Sequence, residues 1–327
     1  MGRSHAAANL PGHLNCHSPL RFVHLAVVGP FGFVVIDKPA GLTSHSCVSR
    51  LRRCFGLKRV GHGGTLDPAV TGVLPIALGA ATRLLPYLPG DKTYRGSIQL
   101  GRTTNTDDLE GEVLTNQSWP ALSANDLEAA LHTFRGPIQQ RPPQVSAVHV
   151  DGVRAHERAR RGEHMHLPPR PVTIHRLEMQ GWDPNNGRLD LEVHCSAGTY
   201  IRSLARDLGE QIGCGGCLAS LRRIQALGFQ IEQASPLPEW PDESDATSQR
   251  LPPVLPPQQA LKHLAAHEAS DTDRENWRCG RRLHIANGLG SVGETLMVVH
   301  HSGQMLGLGL IEADSQLRPK VVFDARG

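Results

Sequence analysis

Gly61-His62-Gly63-Gly64-Thr65-Leu66-Asp67-Pro68-Ala69-Val70-Thr71-Gly72 is the stretch on which the reading of this chain turns. Glycine admits backbone at φ > 0 and lets a loop approach a ligand closely. Pro68 confines the residue before it to extended geometry, so Asp67 is expected on a stiffened loop and not inside a helix. Many Asp-Pro loops are plain turns. A pre-oriented carboxylate among glycines is also what nucleophilic or acid–base work on a large substrate requires. A phosphate-cradling loop is excluded, because Asp67 would oppose the anion and no lysine-serine pair follows.

Outward from this loop, periodicity predicts mixed elements. Phe33–Ile36 reads as a buried strand ended by the Asp-Lys-Pro-Ala-Gly turn. A helix follows, with Thr43 or Ser44 as N-cap and Cys47, Val48, Leu51, Cys54 and Phe55 on its apolar side. Tyr94, Gly96, Ile98 and Leu100 alternate with Arg95, Ser97 and Gln99, which is strand periodicity. Ser123 begins a helix with Leu127, Ala130, Leu131 and Phe134 on one face, closed by Gly136-Pro137. Val145–Val150 and the residues after them read as a hairpin around Asp151-Gly152. Leu189, Leu191, Val193 and Cys195 alternate in a further strand, after which Thr199 caps a helix carrying Ile201, Leu204, Ala205, Leu208 and Ile212. Strands and helices mix without regular alternation, so the expected class is α+β with a mostly antiparallel sheet.

Bulk properties narrow the function classes. The chain has 327 residues, 39% hydrophobic and 20% charged, with a net charge of +3. Its apolar runs are too short for a membrane helix of roughly eighteen residues. The basic residues cluster, at Arg50, Arg52, Arg53, Lys58 and Arg59 and again at Arg154, Arg158, Arg160, Arg161 and Arg170. Local basic faces bind phosphate backbones even when a protein is near neutral overall; either cluster alone also fits a solvated face. The 7 cysteines form no framework, and Cys214-Gly-Gly-Cys217 lacks the second pair that a structural zinc site wants. No metal site is expected, and pairs such as His300-His301 read as surface residues.

The domain reading has four parts. Residues 1–30, without Asp or Glu, read as a disordered extension, either an organellar transit segment or an overlong start. Residues 31–235 form the main domain, 236–257 a proline-rich linker, and 258–327 a small β domain whose end is marked by Leu306-Gly307-Leu308-Gly309-Leu310-Ile311 and Leu317–Phe323.

Five motifs carry a resemblance. These are Phe33-Val34-Val35-Ile36-Asp37-Lys38-Pro39-Ala40-Gly41-Leu42-Thr43-Ser44-His45, the glycine loop, Gly72–Arg83, Asp91-Lys92-Thr93-Tyr94 and Gly198-Thr199-Tyr200-Ile201-Arg202. In this order they resemble the TruB family of tRNA pseudouridine-55 synthases. The resemblance implies a mixed sheet split by an active-site cleft, with a small C-terminal PUA-like β-barrel that binds RNA. It implies isomerisation of uridine 55 in the T loop of tRNA without cofactor or metal. The scattered cysteines read as inert thiols of a reduced, cytoplasmic chain, and a monomer that needs no protein partner is expected.

The same resemblance implies roles for residues. Asp67 matches the catalytic carboxylate, acting covalently or as a base at the sugar. Arg202 matches the arginine that pairs with it, and a guanidinium there would hold the carboxylate charged in a desolvated cleft. Tyr94 matches the tyrosine that stacks on the target base and is a candidate for the final proton transfer. The residues alone would make Tyr94 core filler and Leu221 helix core, whereas the resemblance sets Leu221 beside the base. His62 matches the residue that fills the space left by the extruded base. Asp108 matches an aspartate on a mobile loop, and Lys38 buttresses the site. Gly63, His149, His156 and Ala197 depart from the family pattern; Gly63 is expected to loosen the loop slightly. Two other readings stand beside this one, a guide-dependent synthase of ribosomal RNA and an RNA chaperone without catalysis.

Overall fold

In the computed structural model, the described residues are 29–323 apart from 240–250, Asn287 and most of 147–164. The proposed disordered extension therefore lies almost wholly outside the described residues, as do His156 and the tip of the Asp151-Gly152 hairpin. The chain runs through β1 (Gly32–Lys38), α1 (Ser44–Cys54), β2 (Val60–His62), β3 (Thr71–Leu78), β4 (Lys92–Leu100), β5 (Arg102–Thr104), β6 (Val113–Asn116) and α2 (Ala124–His132). It continues through β7 (Gly136–Gln140), β8 (His149–Val150), β9 (Val153–Arg154), β10 (Arg170–Asp183), β11 (Arg188–Cys195), α3 (Ile201–Ile212), β12 (Gly216–Ala226), β13 (Phe229–Gln230) and β14 (Ser235–Pro236). Strands β14-β1-β3-β12-β4-β11-β10-β7 form the main path of one sheet, with β2 on β3 and β13 on β12. Within this sheet, among the described residues, the β1–β14 and β3–β12 pairings are parallel and the other strand pairings antiparallel.

The β3–β12 pairing explains the split. It consists of just Arg222↔Thr71 and Arg223↔Gly72, whereas β12 and β4 pair along most of their length with a bulge between Leu218 and Ser220. Gly72 is what lets the strands touch: its φ is +104°, and a Cβ there would lie 2.1 Å from the Arg223 carbonyl oxygen. No L side chain fits that approach. Beyond this seam the two strands diverge, and a cleft opens.

Each half has its own apolar packing. Val34, Ile36, Cys47, Val48, Leu51, Leu74, Ile76 and Leu78 join α1 to β1 and β3. Ile98, Leu127, Leu131, Leu177, Leu191, Leu204 and Leu208 join α2 and α3 to the other half. Thr43 caps α1, its hydroxyl accepting from the Ser46 amide at 3.0 Å, and Ser123 caps α2 in a capping box with Asp126. Two local readings need correction. Gly136-Pro137 does not close α2; it opens β7, on the sheet edge where proline needs no ladder partner. Thr199 does not cap α3: the N-cap is Tyr200, and the Thr199 hydroxyl instead donates to the Ser196 carbonyl at 3.0 Å.

The C-terminal sheet contains β15 (Ala266–Ala269), β16 (Leu283–His284), β17 (Thr295–His300), β18 (Met305–Ile311) and β19 (Gln316–Val322), in the order β15-β17-β18-β19-β16. Its core holds Trp277, whose indole N–H donates to the Leu306 carbonyl at 3.1 Å. Met297, Met305, Leu308 and Val321 share an apolar cluster with Phe33, Leu84 and Phe229 of the large sheet region. The segment between the sheets is tied to the β1 edge at Ser235–Pro236 and again by reciprocal backbone bonds between Phe33 and Leu255.

Candidate active site

The glycine loop runs from β2 to β3 and is held from below by buried polar side chains. Lys38 is fully buried, and its ammonium donates to the carbonyls of Pro39 (2.8 Å), Leu42 (2.6 Å) and Pro68 (3.0 Å). Burial pushes the Lys38 pKa down, but three carbonyls satisfy all three of its protons. Buried Ser44 accepts from the Leu66 amide at 2.8 Å. The Asp67 carbonyl accepts from the Val70 amide at 3.1 Å, closing the turn around Pro68. Asp67 is thus fixed by its neighbours on both sides while its carboxylate points outward.

Arg202 reaches that carboxylate from α3. Its Nη2 lies 2.9 Å from Asp67 Oδ2, with the arginine side chain 8% exposed and the aspartate 47%. The guanidinium also donates to the carbonyls of Thr106 and Val145, each at 2.9 Å, and stands 3.7 Å from Asp108 Oδ2. Four partners on three segments leave it one orientation. Asp108 accepts from the Thr106 hydroxyl (2.6 Å) and the Glu110 amide (3.1 Å), and its loop is sewn to β12 by Leu109 N–H donating to Leu218 O and Leu218 N–H to Asp107 O. Asp107 is paired with Arg206 at 2.8 Å.

Two adjoining cavities meet at Asp67, Val70, Arg202, Leu218 and Leu221. The larger, about 960 Å³, extends over the open face of the sheet past Arg95, Gln180, Asp190 and Arg222. The smaller, about 300 Å³, runs under the loop to Tyr94, Lys92 and Tyr200. Leu221 lies on strand β12, opposite Gly96; the helix-core reading of that residue is wrong, because pairing with β4 inside the sheet overrides any local helix preference. Tyr94 is buried and burial pushes its hydroxyl pKa up, opposed by the neighbouring Arg223. His62 stands apart from both cavities at the end of β2; burial, with Arg223 and His45 nearby, lowers its pKa and favours the neutral ring.

Sequence reasoning missed Arg223. It is wholly buried, and donates from Nε to the Val73 carbonyl at 2.8 Å and from Nη2 to the Gly64 carbonyl at 3.1 Å. Rising from β12, it therefore grips the glycine loop and β3 across the seam. Nothing in the local sequence tells which of Arg222 and Arg223 lies inside. Arg222 alternates outward and pairs with Asp37 at 2.7 Å. His300, read as a surface residue, is buried.

Gly63 is also better packed than its small size suggests. A Cβ there would lie 1.9 Å from Leu227 Cδ1. Leu227 holds φ +56° at the turn into β13 and fills the space beside the loop. Leu227 thus takes up the space that a side chain at position 63 would need.

Solved structures with this architecture include an H/ACA ribonucleoprotein bound to a substrate RNA containing 2′-deoxyuridine (TM-score 0.65, 23% identity, 90% of this chain and 85% of that one). A Cbf5–Nop10–Gar1 complex is similar (TM-score 0.64, 24% identity, 90% and 84%). The fold is that of the pseudouridine synthases, an α+β sheet split by a cleft. The N-terminal domain profile of the TruB family pseudouridylate synthases matches residues 52–201. A tRNA pseudouridine synthase B of Parasynechococcus marenigrum is 70% identical over 299 residues, covering 91% of this chain and 99% of that protein. One from Prochlorococcus marinus is 55% identical over 320 residues, covering 91% and 99%. The chain belongs to the TruB family of pseudouridylate synthases and is an isomerase.

Proposed function

We propose that this chain converts uridine 55 in the T loop of tRNA to pseudouridine, with Asp67 as the reacting carboxylate. The observation that carries the reading is the Asp67–Arg202 ion pair at 2.9 Å, drawn from two distant segments and set where both cavities meet. The reaction breaks the N1–C1′ bond, turns the uracil and joins C5 to C1′. The C5 proton leaves and N1 gains one, so atoms and electrons balance within the nucleoside. The half-exposed carboxylate acts at the ribose, by attack on C1′ or by taking a proton from C2′. Arg202 holds it in position and supplies the opposite charge.

A uridine in a folded RNA loop must first swing out of its stack, at about a few kcal/mol. The smaller cavity receives the base between Tyr94 and Leu221, and His62 occupies the space left behind. The Tyr94 hydroxyl keeps its proton at neutral pH, because burial raises its pKa; it passes the C5 proton on as a hydrogen-bonded relay. In this reading the chain acts as a monomer without an obligatory protein partner. Six described cysteines are free thiols, which fits a reducing cytoplasm.

Mapping of pseudouridine in an unmodified tRNA transcript tests the proposal. Wild-type chain without additives is expected to modify position 55, and Asp67→Asn to leave no product while still binding the transcript. Turnover by Asp67→Asn would remove Asp67 from the reaction. In parallel, Tyr94→Phe is expected to keep tRNA affinity and lose rate; an unchanged rate would confine Tyr94 to stacking.

A further inference from the structure

We propose that Asp271, His300 and His301 form a binding site for one borderline divalent transition-metal cation of the Zn²⁺ type, on the C-terminal sheet and away from the RNA cleft. Among the described residues they are the one group of three or more His, Cys, Asp or Glu whose ligand atoms all lie within 4.8 Å of one another. The backbone builds the cluster. In a continuous strand, consecutive side chains face opposite ways. Here β17 ends at His300 and the chain turns at once, with the Gly303 amide donating to the His300 carbonyl at 2.7 Å. His301 is thereby swung to the same side, and the two imidazoles lie with centroids 3.9 Å apart. The neighbouring strand β15 leads directly into the helix Asp271–Arg278, and the His301 amide donates to the Ala269 carbonyl at 3.2 Å. That pairing delivers the Asp271 carboxylate to both rings.

The spacing suits a small cation. His300 Nε2 lies 3.1 Å from Asp271 Oδ1, and His301 Nε2 lies 3.6 Å from Oδ2. Tetrahedral Zn²⁺ with N and O ligands at about 2.0–2.1 Å requires ligand atoms about 3.3 Å apart. Two imidazole nitrogens and a carboxylate are a common donor set for such an ion, leaving a fourth position for water. The buried ring is already oriented: His300 Nδ1 accepts from the Ser302 amide at 3.4 Å and lies 2.8 Å from Ser302 Oγ, which turns Nε2 toward Asp271 Oδ1, where a cation would take the place of the proton that the ring and the carboxylate share. Burial holds His300 fixed, while Asp271 is 84% exposed and His301 52%. Entry from solvent is therefore open. The positive end of the helix does not repel the ion strongly, since Asp271 and Asp273 both stand in its first turn.

The test is a Co²⁺ titration of the metal-stripped full-length chain, followed by Zn²⁺ displacement. Wild type is expected to take up one equivalent with the visible absorption of four-coordinate cobalt, and Zn²⁺ to bleach it. In Asp271→Asn/His301→Ala, two exposed positions, that equivalent should vanish while pseudouridine formation stays unchanged and shows that the chain is folded. Ser302→Ala, which frees the His300 ring, should weaken binding about tenfold or more. Uptake and affinity equal in wild type and the double variant, or no four-coordinate band in wild type, would overturn the site. The chain has 18 histidines, so the difference in uptake between the two proteins decides.

Discussion

The half of the large sheet built from β14, β1 and β3 carries the loop of Asp67, whereas the half built from β12, β4, β11, β10 and β7 carries Tyr94, Leu221 and the helix of Arg202. The halves also treat their buried cations differently. Lys38 spends all three protons on carbonyls of its own half, and so stiffens the loop locally. Arg223 and Arg202 reach across, one to Val73 and Gly64, the other to Asp67. The acid is thus built on one half and aimed by the other. Because only two residue pairs join β3 to β12, these guanidinium bridges carry much of the registration between the halves. Planar, multidentate Arg suits that task, since its fork fixes direction as well as charge.

The largest effect expected from breaking this arrangement is on rate. Arg202→Met removes the donor that meets Asp67 and leaves the Thr106 and Val145 carbonyls without their partner. Single-turnover pseudouridine formation should fall about a hundredfold or more, with Asp67 still in place. Arg202→Lys keeps the charge but not the fork, and should recover only part of the loss. A rate within a factor of two of wild type in Arg202→Met would show that the loop aims the acid alone.

Next in size is the seam. Gly72→Ala places a Cβ 2.1 Å from backbone at φ +104°, so the strands must part. A loss of about 2–4 kcal/mol is expected by denaturant unfolding, with reduced activity because the halves shift together. Unchanged stability would mean that the seam is not what holds the two halves in register.

A smaller effect sharpens the account of the loop. Gly63→Thr should destabilise by about 1–3 kcal/mol through overlap with Leu227, and shortening the neighbour by Leu227→Ala should relieve it. A double-mutant cycle is expected to show coupling of at least about 0.5 kcal/mol. Additive effects would separate the two positions.

The smallest effect is with pH. His62 has a folded-state pKa below its ordinary 6.5, so the unfolded chain binds the proton more readily. Its contribution to stability is complete above about pH 6.5 and is lost as pH falls toward the folded value. His267, also lowered by burial, acts in the same direction. Thermal melts from pH 7.5 to 5.5 should show a steeper fall for wild type than for His62→Gln. Parallel curves would mean that His62 titrates as in the unfolded chain.

Period-2 alternation made β4 and β11 legible, since one face of each is buried against α2 and α3 and registers in sequence as every second residue. The caps at Thr43 and Ser123 were legible because a hydroxyl two or three residues before free amides acts locally. Thr199 misled because the same hydroxyl chose the Ser196 carbonyl in a turn. Leu221 misled because a short apolar run does not tell strand from helix until its partner β4 is known. The burial of Arg223 and His300 had no local signal at all: each is inside only because a distant strand or turn closes over it.

By itself the sequence determined the stiff loop, through glycine freedom and the constraint of Pro68 on Asp67, together with the family motifs in their order. The tertiary structure alone decided which charges meet. Arg202 and Asp67 are separated by most of the catalytic region, and their 2.9 Å contact arises because β12 touches β3 over two residues and then diverges. Pairwise electrostatics at that range is set by how chains pack, a quantity that no local pattern of residues encodes.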